Sequence, residues 1–348
     1  MIGLHFLISP FQKKTLYDHN DSQSHAGVIM IVFKSVIAVP LFIAINLSCA
    51  GSQQIPLLKS GVENWNKWRE EHRTVMPDLA RVTLAGVNLG GANMGLANLA
   101  GANLAGADID NANFEGANLA GVNFDSANLE GANLDNANLE GATMWGACLR
   151  GANLAGADIG EACLVGADLR EANLDGVNLN NDNLDSANLD GANLDNANLA
   201  GAHLRGAHLR GTYLGGAFLV ETNLPGASLD SADLREADLR GANLAGADLT
   251  EANFLKTNLK DANLDSANLW FADLKSAKLG GARLGKVRTF YKTKLDTDIL
   301  SEIKTEWPEK LATIWDDTKK DWVIDDTLLE QVKKPDWHGG PEEEDQGK

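Results

Sequence analysis

From Leu84 to Leu284 an apolar residue recurs at every fifth position without a miss, 41 times in succession. Leucine fills 34 of these central positions, and Met94, Met144, Ile109, Ile159, Phe114, Phe124 and Phe254 fill the rest. Two residues before each centre stands alanine in 33 of the 41 repeats; the exceptions are Val82, Val87, Val122, Val177, Asp182, Thr212, Thr222 and Thr257. The residue just before the centre is usually Asn or Asp, and the residue two after it is most often Gly. A period of five excludes an amphipathic helix, because at about 100° per residue successive centres rotate by about 140° and scatter around the axis. One straight strand fails too, since alternation sends centres five apart to opposite faces. An alanine and a leucine two residues apart do share a face of a short strand. A bend after each strand, at the Gly-rich position where unusual dihedrals cost least, lets every centre point to one axis.

Four bends of about 90° close a square of twenty residues. Stacked at the roughly 4.8 Å spacing of hydrogen-bonded strands, these squares form an all-β solenoid, a quadrilateral β-helix of about ten coils and about 50 Å. The square has little room beside its leucines, so alanine is needed there and a larger residue overpacks it. That accounts for a chain of 348 residues with only 21 aromatic ones. Runs such as Ala-Asn-Leu-Ala-Gly and Ala-Asp-Leu-Arg-Gly resemble the pentapeptide repeat family over residues 82–286. The resemblance implies a right-handed quadrilateral β-helix. It also implies a protein with no known activity in most cases, the best understood members binding DNA gyrase as acidic, DNA-shaped rods. The segment from Leu57 to Arg69 is similar to the leader that commonly precedes such repeats.

Ahead of the repeats, an apolar run from Val36 to Leu47, broken by Pro40 and Asn46, follows Lys34 and ends in Ser48-Cys49-Ala50. Small residues at both cleavage-site positions before Gly51 read as a secretory signal over 30–50, with Met30 as the start and 1–29 an upstream extension absent from the mature protein. An uncleaved anchor over 28–47 is the alternative, since about twenty residues span a bilayer, although Lys34 and Pro40 sit badly inside it. A lipid-modified Cys49 is a third, against which Asn46-Leu47-Ser48 lacks the expected aliphatic residue. Lys13, Lys14 and Lys34 all precede the apolar run, which orients the chain beyond it out of the cytoplasm. The expected location is bacterial and exported, periplasmic or extracellular, with membrane contact only if 28–47 remains as an anchor.

A stacked coil leaves an unpaired strand edge at each end, so caps are expected. A short N-terminal capping helix is expected within 51–81, N-capped by Ser60 and carrying Val62, Trp65 and Trp68. A C-terminal helical cap is expected over 287–332: one helix starting at Asp296 or Thr297 with Ile299, Leu300 and Ile303 on a face, then Leu311, Ile314, Trp315 and Trp322 at helical spacing. Thr327 and Glu330 have capping-box spacing, and an acidic tail over 333–348 is expected to be disordered. The same C-terminal helices are a possible homodimer interface.

The 48 acidic and 30 basic residues give a net charge of −18, which argues against direct nucleic-acid binding. Residues twenty apart stack in surface columns. Glu115, Asp135, Asp175 and Asp195 form an acidic column that suits a basic partner or simply solubility, and Asp110, Glu130, Arg150, Arg170, Asp190, Arg210 and Asp230 form a mixed column expected to pair with itself. Trp145 and Val165, Tyr213 and Phe218, and Trp270 with Phe271 are outward apolar positions able to anchor a partner, the last pair also able to sit under the C-terminal helices. Asp182 is the one ionisable residue at an inward position, expected to loosen the coil and reach backbone N–H groups. His203 and His208 beside Arg205 and Arg210 make a poor metal site, Cys148 and Cys163 fall on different faces, and no catalytic set converges. The expectation is a non-enzymatic exported scaffold, without metal or cofactor, binding a protein or cell-envelope partner. The alternative is an acidic DNA mimic acting on gyrase or another DNA-binding protein in the cytoplasm.

Overall fold

Strand pairing follows the period of twenty. In the computed structural model, which describes residues 51–316 and 321–334, parallel bridges join each strand to the one twenty residues on, from Asp78↔Asn98 to Asn263↔Arg283. The signal or anchor segment, Cys49 and the acidic tail from 335 lie outside the described residues. Central and preceding small residues all turn inward, as at Ala152 and Leu154, both 0% exposed.

Every backbone N–H of a five-residue unit has a defined partner. The centre and the bend residue donate nineteen residues forward, as from Leu99 to the Asn118 carbonyl at 2.7 Å and from Gly101 to Ala120 at 2.8 Å. The residue before the centre donates backward, as from Asn118 to Ala97 at 2.9 Å, and the alanine closes the turn, as from Ala102 to Leu99 at 2.8 Å. The fifth N–H, just after the centre, donates to the Asx side chain two residues before it, as from Ala100 to Asn98 Oδ1 at 3.2 Å. That bond is the reason for Asn or Asp in the repeat: the side chain fastens the bend. The bend residue is left-handed, with φ 64° at Gly131 and 58° at Leu96, where a side chain is strained and glycine is not.

The coil runs past the expected limits of 82 and 286. Pairing starts at Asp78, and Leu79 is already buried. At the other end the spacing lengthens to twenty-one, in Asn268↔Thr289 and Asp273↔Lys294, with Val287 and Phe290 turned inward.

Two helices precede the coil where one was expected, α1 (Gly51–Lys59) and α2 (Val62–Glu71). Gly61, at φ 120°, occupies the N-cap of α2, and the Ser60 hydroxyl donates instead to the Leu57 carbonyl at 2.6 Å. The α2 side chains meet the edge of the first coil. Trp65 is fully buried with Nε1 donating to the Asn93 carbonyl at 2.8 Å, Arg69 Nη2 donates to Gly95 at 2.7 Å, and Asn66 both donates to Gly91 and accepts from the Asn93 N–H.

After the coil come α3 (Thr297–Glu306), α4 (Pro308–Leu311), an antiparallel hairpin of β1 (Thr313–Asp316) and β2 (Asp321–Ile324), and α5 (Asp326–Val332). α3 starts after Asp296 as expected. The helix expected through Ile314, Trp315 and Trp322 is the hairpin, in which Ile314 opposes Val323 and Trp315 opposes Trp322. Aromatic and β-branched residues favour such pairing over a helix. Thr327 and Glu330 do not form the cap of α5; Asp325 does, its side chain accepting from the Leu328 N–H at 2.9 Å. Ile303, Leu311 and Val332 are buried in the core shared with the last coil, and the Phe290 N–H donates to the Lys310 carbonyl at 2.8 Å.

With Ala192 and Leu194 both 0% exposed in mid-rod, Ala192→Leu is expected to destabilise by about 1–3 kcal/mol through overpacking, and Leu194→Ala by about 2–5 kcal/mol through a cavity. Denaturant midpoints of both variants check the assignment of inward positions.

Candidate interaction surface

Where an outward position departs from Asx, the bend can still be fastened from the neighbouring coil. Thr143 cannot serve as the Asx acceptor, and the N–H of Trp145 instead meets Asp125 Oδ1, twenty residues earlier, at 3.0 Å. Three corners of one coil repeat the device. His203, His208, Tyr213 and Phe218 replace Asx on four successive faces and are all exposed. The N–H groups of Arg205, Arg210 and Gly215 then donate to Asp185, Asp190 and Asp195 at 2.8, 2.8 and 2.7 Å. Tyr213, about half exposed, is therefore displayed on a fastened corner, whereas Phe218, equally exposed, stands at a corner whose Val220 N–H has no such acceptor. This reassigns Asp195, expected as a docking acid, to fastening a bend. Asp175 is exposed and accepts only a long bond of 3.3 Å from Asn196. Glu115 is exposed and Asp135 half-buried.

Charge is zoned along the rod. Residues 78–149 hold eight acidic residues and one arginine. Among the described residues every ion pair involves residues from 150 onward. The mixed column does not form ion pairs along its length as expected: among the described residues only Arg210 and Asp230, 3.1 Å apart, are ion-paired coil to coil within it. Arg170 turns to Asp168 in its own strand at 2.6 Å, a hydrogen bond that holds the Asp168 carboxyl below the usual carboxylate range; Arg235 and Arg240 likewise pair with Asp233 and Asp238 in their own strands. The reason is reach: a strand places residues two apart on one face, within a guanidinium fork's span.

Trp145 is 64% exposed at the end of the acidic stretch, and Val165 above it is half-buried. Trp270 and Phe271 pack with Tyr291 of the last turn, at ring separations of 6.3 and 6.4 Å, under Lys292 at 4.9 Å from the Phe271 ring. Trp270 closes one end of a shallow trough of about 570 Å³ along one face that also holds Asp190, Arg210, Asp230 and Asp248. Burial raises the Asp230 carboxyl above its ordinary value. Cys148 and Cys163 are free thiols, and His208 lies in the same trough. Among the described residues no group of three His, Cys, Asp or Glu is placed to hold a metal ion.

Asp182 is inward and 1% exposed, and neither carboxylate oxygen makes a hydrogen bond. The expected loosening is present, since the coil-to-coil ladder lapses beside it. The expected bonds to backbone N–H groups are not completed: the Glu161 and Ala162 N–H groups lie on the side that favours the charged form, but neither meets the carboxylate in hydrogen-bond geometry. Burial, with repulsion from Asp158 and Glu161, pushes the carboxyl up to about 7.

The family model for pentapeptide repeats matches eight copies between residues 78 and 281, more than half of the chain. The chain belongs to the pentapeptide-repeat family. Among solved structures it is similar to HetL, a pentapeptide repeat protein involved in heterocyst differentiation regulation in the cyanobacterium Nostoc sp., at 33% identity over 62% of this chain and 95% of HetL, with a TM-score of 0.57. It also matches Rfr23 from the cyanobacterium Cyanothece, at 33% identity over 33% of this chain and 61% of that one with a TM-score of 0.16. QnrB1, a plasmid-mediated fluoroquinolone resistance protein, matches at 21% identity over 54% and 94% of the two chains, with a TM-score of 0.26. A comparison with curated proteins found no match. Membership makes the coil a right-handed β-helix. Against its pentapeptide pattern, Asp182 and the coil of His203, His208, Tyr213 and Phe218 stand out.

Two predictions separate structural from surface acids. Asp195→Ala orphans the Gly215 N–H and is expected to cost about 1–2 kcal/mol, whereas Asp175→Ala is expected to stay within about 0.5 kcal/mol of wild type; denaturant unfolding of the two compares them. For Asp182, the unfolded chain ionises at the ordinary carboxylate value and the native chain near 7, so native stability falls as pH rises between about 4 and about 7 and stays low above. Asp182→Ala is expected to raise Tm at pH 8 on the order of 5 °C, the gain shrinking toward pH 4. The gain is bounded by about 4 kcal/mol and reduced by water the lapsed ladder admits. A lower Tm for this variant at pH 8 contradicts the strain.

Proposed function

We propose that this pentapeptide-repeat protein is an exported, non-enzymatic scaffold that binds a protein or envelope partner through its outer faces. Its acidic stretch before Arg150 is the docking surface and Trp145 its apolar anchor. The observation that carries this is the charge zoning. Eight acids with a single arginine stand without ion pairs over residues 78–149, while the later coils pair several of their acids with basic side chains. Uncompensated charge of one sign steers a partner of the other sign, and an exposed tryptophan at its border supplies buried contact. The helices at the two ends act as caps, since Trp65, Asn66 and Arg69 take up carbonyls of the first coil edge that a second rod could otherwise pair with. A similar protein, HetL, involved in regulating differentiation, accords with a binding role. Export rests on the apolar run from Val36 to Leu47 and the small residues before Gly51.

The same acidic stretch also favours a second reading, an acidic DNA mimic binding gyrase or another DNA-binding protein in the cytoplasm. Subcellular fractionation with intact mass and amino-terminal sequencing of the mature protein separates the two. A chain starting at Gly51 in an exported fraction is expected, and it removes gyrase from consideration. A full-length cytoplasmic chain overturns export and leaves the mimic. In either compartment, binding to the partner is expected to weaken steeply as salt rises, and Trp145→Ala to weaken it roughly tenfold or more without lowering Tm.

A further inference from the structure

Between Leu79 and Asp261 the coil-to-coil ladder lapses at one place. Leu154 donates to Asn173 and Leu164 to Asn183, both at 2.8 Å, but between them the N–H groups of Gly156, Ile159 and Glu161 make no bond to the next coil. From the other side, Asn173 and Asn188 donate back at 2.9 Å, whereas Asn178 and Asn183 do not. The strands still face each other, as Asp158↔Asn178 and Cys163↔Asn183, so the ladder is stretched and not misregistered. Ala157 and Ala162, each 4% exposed, are the least buried of the core alanines there, where Ala152 and Ala167 are at 0%.

We propose that Asp182 makes the junction between residues 156–162 and residues 175–183 a proton-controlled hinge, closed while its carboxyl carries a proton and open when it is ionised. The inward threonines show what a polar side chain needs at this position. Thr212, Thr222 and Thr257 each donate a hydroxyl proton to the carbonyl twenty-three residues earlier, at 2.9, 2.7 and 2.6 Å, and the ladder around them is complete. The equivalent acceptor for Asp182 is the Ile159 carbonyl, which already takes the Ala162 N–H. A carboxylate has no proton to give it; a carboxylic acid does. The ionised group gains instead from parting the coils, because that exposes it to water and to the Glu161 N–H released from the ladder.

The surroundings set the direction. The coil before Asp182 presents Asp158 and Glu161, both acidic, and the coil after it carries His203 and Arg205 at outward positions, with Asp185 already holding the Arg205 N–H. Burial places the titration near neutrality. The hinge divides the unpaired acidic coils with Trp145 from the later coils that carry the exposed Tyr213 and Phe218 and most of the ion pairs, so opening alters the angle between the two surfaces. It acts whatever the partner.

Amide hydrogen exchange on the full chain tests this, read at Gly156, Ile159, Glu161, Asn178 and Asn183 and corrected for intrinsic rates. From pH 6 to pH 8 protection at these sites is expected to fall about tenfold relative to the coils on either side, as an opening governed by a carboxyl titrating near neutrality requires. Asp182→Ala, which restores the ordinary residue, and Asp182→Asn, which cannot ionise, are each expected to abolish the fall, and His203→Asn to leave it intact. Protection that does not change with pH, a fall that persists in both Asp182 variants, or a fall that His203→Asn removes each overturns the proposal.

Discussion

The bend is the constraint on which this rod depends. A strand only long enough to turn an alanine and a leucine inward must change direction every five residues, and each corner leaves one N–H on its outside. The Asx side chain two residues earlier takes that N–H, as Asn98 does for Ala100, and the left-handed residue after it completes the turn. Once every corner is fastened, the remaining N–H groups are left to the neighbouring coils. The continuous ladder and the leucine and alanine interior result from that.

The same constraint governs the outer surface. Where a position before the centre abandons Asx, an aspartate of the coil below can take the corner N–H in its place, as Asp125, Asp185, Asp190 and Asp195 do. Surface acids on this protein therefore divide into those bound into corners, those matched by a basic side chain in their own strand or a neighbouring coil, and those with neither duty. The last class is concentrated before residue 150, beside Trp145, which gives the early coils their character as a docking face. Asp182 is the reverse case, an acid placed where only an apolar or hydroxyl side chain fits, and the ladder opens around it.

Most of the candidate surface was legible from spacing because the coil length is fixed. Outward exposure of Trp145, Tyr213 and Phe218, and the inward position of Asp182, come from counting in fives. What counting did not reach was hydrogen-bond allegiance: Asp195 serves a backbone N–H, and Arg170 chooses Asp168 in its own strand over the column it stands in. Those choices depend on distances between side chains on a common face, which residue order alone leaves open. The repeated pairing of an Asx gap with an aspartate twenty residues earlier is a signal that residue order does contain, and it was missed.

The sequence by itself determined the coil. Forty-one apolar residues in strict register, with small residues two before each, admit one closed arrangement, because any other scatters the leucines into water. Tertiary structure decided the ends and the weak point. Trp315 and Trp322 fit a helix by spacing, yet they face each other across a hairpin, since a short segment against the last coil takes its form from what it can pair with. The lapse in the ladder beside Asp182 is likewise decided in three dimensions. Its position is written in the repeat, but whether a buried carboxyl finds a partner depends on the carbonyls and N–H groups of the coil beneath it.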